Sequence, residues 1–250
     1  MNPAITAAVM GFLGLAVGGV LATISVRLPQ EAGDPLVRPR CPACARRLRL
    51  WEVVPLVGWL GLRGKCATCR TPISPRYMAI ELASAAVGVW AALGASCWLA
   101  VGATAVLGWQ LLLIAVIDTE HHWLPDRLTW PLAATGLIAA VLSGWSSASD
   151  RLIGVAVGFL GLWVLGWLYK IVRGRDGLGG GDPFLLAGVG AWVGWQGLLS
   201  VLIWAAAAAM IVVFWQLIVR RSISGAEKLP FGVFLAAGAW LTWLYGPVGA

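Results

Sequence analysis

Long apolar stretches separated by short polar segments make up most of this chain. An α-helix needs about 20 apolar residues to cross a hydrocarbon core of about 30 Å, and the sequence contains about eight stretches of suitable length. The first has no basic residues before it, so we interpret it as a retained helix rather than a secretory signal. The pattern predicts an all-α, polytopic membrane protein, with transmembrane helices near residues 4–26, 78–95, 97–117, 128–145, 151–171, 183–200, 201–219 and 229–246.

One sizeable polar segment interrupts this pattern between the first two apolar stretches. It divides the chain into a first transmembrane helix (1–26), a polar loop (27–77) and a membrane core (78–250) that contains the other predicted helices. A loop of about 50 residues cannot bury a large apolar core, so its folding needs another source of free energy.

Composition and charge placement restrict the class of protein. With 60% hydrophobic and 12% charged residues, the chain is unlike soluble domains, in which about 25% are charged. The net charge of +7 can suggest nucleic acid, but most of the 18 basic residues lie in residues 27–76, and among the others only Arg151 falls on the opposite side of the predicted arrangement. This positive-inside pattern predicts an external amino terminus, a cytoplasmic loop and a lipid environment, with no nucleic-acid partner. It predicts no particular oligomeric state.

The polar loop carries two pairs of cysteines, Cys41-Pro-Ala-Cys44 and Cys66-Ala-Thr-Cys69. Each pair can form a tight knuckle that directs two thiolates at one tetrahedral ion, although the interval between the pairs slightly exceeds the usual one. Two disulfides are the main alternative, which a reducing cytoplasm disfavours. A redox site is less favoured still, because no thioredoxin-like pattern surrounds either pair. We predict a structural zinc site at these four cysteines, with no open position for substrate.

Two acidic residues lie at the ends of apolar stretches, where an ionisable group is costly and a functional role is the default hypothesis. Asp118 ends the run 109–117, and Asp182 follows Gly179, Gly180 and Gly181. Glycines allow close backbone approach, so this loop can carry Asp182 toward Asp118. Two neighbouring carboxylates can share a proton and activate water, as in aspartic proteases. We predict such a pair at the cytoplasmic membrane face.

The polar segment after Asp118 leaves several roles open. Glu120, His121 and His122 are typical of a solvated hairpin loop. A second metal site is less favoured, because adjacent residues on a helix point about 100° apart. Asp126 can be a helix cap, an ion-pair partner of Arg127 or a secondary site residue.

Three motifs occur in an order that resembles the type IV prepilin peptidases, the bacterial branch of the GxGD membrane aspartic proteases. Residues 41–74 resemble the zinc loop of that family, residues 117–131 (IDTEHHWLPDRLTWP) its first aspartate motif, and residues 177–182 (GLGGGD) its second. Glu81 also matches a Glu-Leu pair of the family.

The resemblance implies that Asp118 and Asp182 are the catalytic pair, with Asp126, Gly179, Gly181 and Glu81 in supporting roles. It implies prepilin or pseudopilin substrates of type IV pili or type II secretion, whose basic leader is removed at the cytoplasmic face of the bacterial inner membrane. Many members then methylate the new amino terminus with S-adenosylmethionine, and the cysteine loop is implicated in that step.

The sequence departs from the family pattern in three places. Residues 51–55 (WEVVP) replace an asparagine before Ile-Pro, which weakens the expectation of methyltransferase activity. Phe184 stands where a lysine usually follows the second aspartate, which removes a cation near Asp182. Residues 20–22 (VLA) replace a Phe-Leu-Asn pattern in the first helix.

Two other classes of function fit part of the pattern. A proton-coupled transporter can also place carboxylates such as Asp118 and Asp182 beside glycine-rich broken helices. The halves of the chain show no repeat, however, and transport gives no reason for a four-cysteine loop. A non-enzymatic assembly protein with a vestigial pair is the other alternative, against which the intact aspartates argue.

Overall fold

The computed structural model describes residues 2–29, 41, 43–95, 97–142, 148–175, 177–220 and 230–248. Parts of the predicted loop 27–77 and edges of the predicted helices 128–145 and 229–246 lie outside these ranges. The regular structure within them is helical apart from isolated bridges, which confirms the all-α prediction. The helices are α1 (Pro3–Arg27), a short 3₁₀ helix (Leu50–Val53), α2 (Val57–Gly61), α3 (Arg76–Gly94), α4 (Trp98–His121), α5 (Asp126–Leu142), α6 (Ala148–Arg173), α7 (Asp182–Arg220) and α8 (Phe231–Tyr245).

The helices have the length and surface expected of membrane spans. Among the described residues, five helices are long and apolar enough to cross a bilayer: α1, α3, α4, α6 and α7. Large apolar side chains are exposed along them, such as Leu160, Trp163 and Trp167 on α6. Surface of this kind is suited to lipid rather than water. The chain is therefore a multi-pass membrane protein.

The chain divides into two compact units, residues 1–113 and 114–250, with the boundary inside α4. In the first unit, α1 packs against α3 through small residues. A Cβ atom on Gly18 would lie 2.6 Å from the Cα atom of Glu81. A Cβ atom on Gly14 or on Gly88 would lie even closer to a backbone oxygen atom of the opposite helix. Small residues allow helix backbones to meet in lipid, where packing drives association.

Helix α7 forms the centre of the second unit and contacts α5, α6 and α8. Its Trp192 is fully buried and donates a hydrogen bond from Nε1 to the carbonyl oxygen of Leu132 on α5 at 2.9 Å. The indole ring also packs edge-on against Trp243 on α8, with 5.3 Å between the ring centroids. A buried indole needs a partner for its N–H, and here it joins three helices.

Helix α7 is interrupted at Gly194, whose φ of 72° and ψ of 175° are not helical. The first part of α7 and α8 begin at the same end of the unit, because Leu124 contacts both Gly181 and Gly232. The first part then reaches the far end of α8, where Trp192 meets Trp243.

After Gly194 the chain runs back along α8. Val201 and Ala205 contact Gly238, which lies nearer to the start of α8 than Trp243 does. In a straight helix, each residue after Gly194 would lie about 1.5 Å farther from the start of α8. Because Val201 and Ala205 lie nearer to that start instead, the chain reverses direction at Gly194. The sequence predicted two helices with a break near residue 200; the break is present, but its predicted position is wrong. It lies at a glycine, which adopts positive φ at little cost.

Candidate active site and metal centre

Asp118 lies in the last turn of α4 and is only 5% exposed. The helix ends just beyond it, because His122 takes a positive φ of 50° and donates its N–H to the carbonyl oxygen of Asp118 at 2.9 Å. The Oδ2 atom of Asp118 accepts a hydrogen bond from the N–H of Val233 at 3.1 Å. Val233 belongs to the first turn of α8, so a helix distant in sequence holds this carboxylate.

Asp182 is the first residue of α7 and is 4% exposed. Its Oδ2 atom accepts the N–H of Gly179 at 3.0 Å, and its own N–H donates to the carbonyl oxygen of Gly179 at 3.2 Å. These two hydrogen bonds close a tight turn. A carboxylate at a helix amino terminus is also stabilised by the helix dipole. The glycine-rich loop therefore fixes where the Asp182 carboxylate lies.

Leu124 connects the segments that carry the two aspartates. A Cβ atom on Gly181 would lie 2.5 Å from the Cβ atom of Leu124, and one on Gly232 would lie 2.8 Å from both its Cδ1 atom and the Oδ2 atom of Asp118. The charge of Asp118 is close enough to act on Asp182. The structure thus brings together the two carboxylates that the sequence singled out.

Such a pair is suited to acid and base chemistry. Two like charges held close together in a buried site favour a state with one shared proton. One carboxylate can then accept a proton while the other donates one, as in aspartic proteases. The burial of both side chains limits access by bulk water, which strengthens their electrostatic effect on a bound group.

The acidic and histidine side chains that follow Asp118 in this segment are exposed. Glu120, His121 and His122 lie on the surface, and the Nε2 atom of His121 is 3.9 Å from a carboxylate oxygen of Glu120. Asp126 is exposed as the first residue of α5, where its charge suits the helix dipole. Asp126 is thus not buried with Asp118 and Asp182.

The four loop cysteines form one cluster. Their Sγ atoms all lie within 4.8 Å of one another, and those of Cys41 and Cys69 are 3.6 Å apart. A tetrahedral zinc ion with bonds of about 2.3 Å places its sulfur ligands about 3.8 Å apart. All four are free thiols, which argues against the disulfide alternative. The cluster can hold a metal ion, and it is the only such group of potential ligands in the described ranges.

Two similar backbone knuckles build this cluster. The N–H of Cys41 donates to the carbonyl oxygen of Arg46, and the N–H of Cys66 donates to that of Thr71, both at 2.9 Å. The residue after the second cysteine of each pair has a positive φ, 52° at Ala45 and 59° at Arg70. The equal spacing of the two CxxC pairs is therefore matched by equal geometry.

The pKa values of the thiols are shifted within the cluster. The N–H groups of Cys69 and Thr68 lower the pKa of Cys66 to about 6, and Thr71 lowers the pKa of Cys69. The N–H of Arg46 lowers the pKa of Cys44, but desolvation and hydrogen bonds with the other thiols outweigh it and raise that pKa to about 11. Because ligand thiols must be deprotonated, a metal ion that binds all four releases protons.

An ion pair holds Arg46, the residue whose carbonyl oxygen closes the first knuckle. Arg46 donates two hydrogen bonds to the carboxylate of Glu52, at 2.8 and 3.0 Å, and the Glu52 side chain is fully buried. The bond with Arg46 lowers the pKa of Glu52 most, and the N–H of Arg49 lowers it further. Both bonds come from one guanidinium nitrogen, Nη2, and a hydrogen bond between charged groups is stronger than one between neutral groups.

Glu81 belongs to the first unit, whereas both aspartates belong to the second. It is 9% exposed, and its Oε2 atom accepts the N–H of Leu56 at 2.8 Å. Leu56 has a positive φ of 59°, a strained conformation for a leucine. Glu81 also lines a cavity of about 340 Å³ between the cysteine loop and the helices α1 and α3. Cys41, Glu52, Trp59, Cys66 and Tyr77 line it as well.

Sequence reasoning missed Leu124, Gly232 and Val233 as site residues. Leu124 is part of the quoted aspartate motif but is apolar, so no chemistry pointed to it. Gly232 and Val233 follow Pro230 at the start of the last apolar stretch. The Pro-Phe-Gly sequence there was the one available signal of a close approach.

Two family models match the chain. One, described as the type IV leader peptidase family, matches residues 105–214. The other, described as the bacterial peptidase A24 N-terminal domain, matches residues 12–95. No solved structure matches.

Similar proteins cover nearly the whole chain. A prepilin leader peptidase/N-methyltransferase of Stutzerimonas stutzeri is 38% identical over 94% of this chain and 89% of its own length. Proteins of the same name from Dichelobacter nodosus and Pseudomonas aeruginosa are 39% and 41% identical, over 90% and 87% of this chain and 77% and 76% of their own lengths.

Proposed function

Because the chain belongs to the type IV leader peptidase family, we propose that it is a membrane aspartic endopeptidase and N-methyltransferase. It removes the basic leader from type IV prepilins or pseudopilins and methylates the new amino terminus. The buried pair formed by Asp118 and Asp182 is the observation that carries the peptidase proposal. The comparisons give no support to a transporter, and family membership also speaks against a purely structural assembly protein.

In the peptidase reaction, one aspartate is ionised and the other is protonated. The ionised carboxylate takes a proton from water while the water oxygen bonds to the scissile carbonyl carbon, and the protonated carboxyl donates to the carbonyl oxygen. The tetrahedral intermediate then collapses, the C–N bond breaks, and the leaving nitrogen receives a proton. The pair titrates as a unit.

The supporting residues act on position and charge in this proposal. Gly179 and Gly181 place the carboxylate of Asp182 through the turn and the contact with Leu124. Asp126, exposed at the start of α5 and two residues after Leu124, presents a negative charge that would favour the approach of a basic leader.

We assign methyl transfer to the cavity under the cysteine loop. S-adenosylmethionine carries a positive sulfonium and a positive amino group, and the cavity offers the buried carboxylate of Glu81 and the rings of Trp59 and Tyr77. Carboxylates and aromatic faces both favour cations. S-adenosylmethionine bound there would supply a methyl group to the amine of the cleaved pilin, which would lose one proton, with a neutral thioether as the other product.

Zinc has a structural role in this proposal. Four sulfur ligands leave no open coordination position, and Cys41 and Cys66 line the cavity. A metal ion in the cluster would therefore hold one wall of the methyl-donor site. We retain the division into a first helix (1–26), a zinc loop (27–77) and a protease core (78–250), and we assign methyl transfer to the loop together with Glu81 near the start of α3.

We also propose that the loop and the aspartates face the cytoplasm and the amino terminus lies outside. In the second unit, Arg127 lies in the first turn of α5, close in sequence to Leu124, and Lys170 and Arg173 lie in the last turn of α6, just before the glycine-rich loop. Arg151 belongs to the opposite end of α6. The excess of basic residues at the end with the aspartates supports this orientation.

The test is a mass-spectrometric assay of the purified protein in liposomes, with a prepilin from the same cell and with or without S-adenosylmethionine. We expect loss of the leader mass, and a further methyl mass when the donor is present. Asp118→Asn and Asp182→Asn should each lower cleavage on the order of 10³-fold, whereas Asp150→Asn, at the start of α6, should not. Cleavage by either site variant at near wild-type rate would refute the dyad.

A further inference from the structure

Helix α8 begins without a cap of its own. Its N-cap residue is Pro230, which makes no side-chain cap hydrogen bond, yet the first N–H groups of a helix need partners outside it. The carboxylate of Asp118 supplies one: Oδ2 accepts the N–H of Val233 at 3.1 Å, and the backbone of Gly232 interacts with the same carboxylate. The helix start and the candidate catalytic group are therefore built against each other.

The fit requires a residue without a side chain at position 232. A Cβ atom there would lie 2.8 Å from Oδ2 and 3.1 Å from Cγ of Asp118, and 2.8 Å from Cδ1 of Leu124. Contacts below about 3 Å exceed what close-packed interiors tolerate. A methyl group at this position must displace the carboxylate, Leu124 or the first turn of α8.

The position lies outside both segments that the family models match, residues 12–95 and 105–214. We propose that Gly232 is a positioning residue for proteolysis, which holds the backbone of α8 against the Asp118 carboxylate and so sets its rotation toward the scissile bond. The inference rests on the proposed peptidase function. Backbone donors at a helix amino terminus also stabilise a charged carboxylate, so the contact acts on both the orientation and the charge of Asp118.

The experiment compares Gly232→Ala with the wild-type protein, full length and in detergent, on a synthetic prepilin peptide. We expect kcat to fall about 100-fold, since a displacement of about 1 Å costs that much, with KM within about threefold of wild type. The pH profile of kcat/KM should also move along the pH axis. A loss of folded enzyme would lower the whole profile without moving it.

Two further variants separate positioning from packing. Gly238→Ala also crowds α8, because its Cβ would meet Val201 and lie 3.1 Å from the N atom of Ala205, but it lies away from Asp118. It should lower Tm and leave the pH profile in place. In a Leu124→Ala background the added methyl group at position 232 no longer meets the Leu124 side chain, so measuring Gly232→Ala there isolates the contact with Asp118.

The inference holds if Gly232→Ala still lowers kcat about 100-fold in the Leu124→Ala background. It is overturned if Gly232→Ala has no effect on kcat in the Leu124→Ala background, or if kcat of the single variant stays within threefold of wild type. It is also overturned if the pH profile of kcat/KM falls in height without moving along the pH axis. A wild-type protein that does not cleave the peptide would instead refute the peptidase proposal itself, so the two failures are distinguishable.

Discussion

Leu124 packs directly against the backbone of Gly181: a Cβ atom on Gly181 would lie 2.5 Å from the Cβ atom and 2.7 Å from the carbonyl oxygen of Leu124. Because Gly181 precedes Asp182, this contact sets the distance between the segments that carry the two carboxylates. The glycines of the loop therefore differ in how much room they leave for a side chain.

Gly181→Ala should reduce cleavage by about 100-fold, because the added methyl group displaces the Asp182 carboxylate by a sizeable fraction of an ångström or more. Gly180→Ala is the matched control, since a Cβ there meets nothing within 4 Å. It should retain activity within a few fold. Steady-state cleavage of a prepilin peptide measures both, and an equal loss in the two variants would contradict the role of the Leu124 contact.

Removal of the metal should affect the two activities unequally. The cysteine cluster lines the cavity in the first unit, whereas both aspartates belong to the second. Treatment with a chelator, or Cys66→Ser, should therefore impair methylation of a cleaved pilin more than cleavage of a prepilin. Zinc content, measured in parallel, confirms the loss of metal. Equal loss of both activities, with the protein still inserted, would count against this division.

Glu81→Gln tests the methyl-donor site. The change keeps a hydrogen-bond acceptor for the N–H of Leu56 but removes the negative charge. A hydrogen bond to a charged group contributes about 1.5–3 kcal/mol, so KM for S-adenosylmethionine should rise about tenfold or more. Glu120→Gln, exposed on α4, is the matched control. An unchanged KM for the donor in Glu81→Gln would place the methyl-donor site elsewhere.

Gly194→Ala should destabilise the second unit by about 1–3 kcal/mol, because a φ of 72° with a ψ of 175° lies in a region that essentially only glycine adopts. Gly161→Ala, on α6 with nothing within 4 Å of its Cβ, should be neutral or slightly stabilising, since alanine favours a helix. Thermal unfolding in detergent compares the two. If Gly194→Ala melted at the wild-type temperature, the reversal at this residue would not need a glycine.

Local features of this fold could be predicted from the sequence, because each depends on residues close together in the chain. Apolar stretches determined most of the helices, and the two CxxC pairs determined the knuckles. The costly position of Asp118 at the end of an apolar stretch marked it as a site residue for the same reason.

Features that depend on tertiary contacts could not be predicted this way. The apolar stretch from 183 to 219 contains several glycines, and only packing against α8 decides that the chain reverses at Gly194. The contact of Val233 with Asp118 joins residues 115 positions apart, so no local pattern contains it. Leu56 adopts a positive φ, and Glu81 on α3 accepts its N–H; propensity alone would suggest neither.

The backbone contact between α1 and α3 has a consequence for how this protein can evolve. Both ends of the cysteine loop leave from this one helix pair, so the loop is closed at its base whatever its own sequence. Doubling the length of a closed flexible loop costs only about 0.6 kcal/mol. Insertions and replacements in the loop, such as those at residues 51–55, can therefore accumulate without loosening the membrane core. Selection can alter or discard the methyl-transfer part while the protease persists.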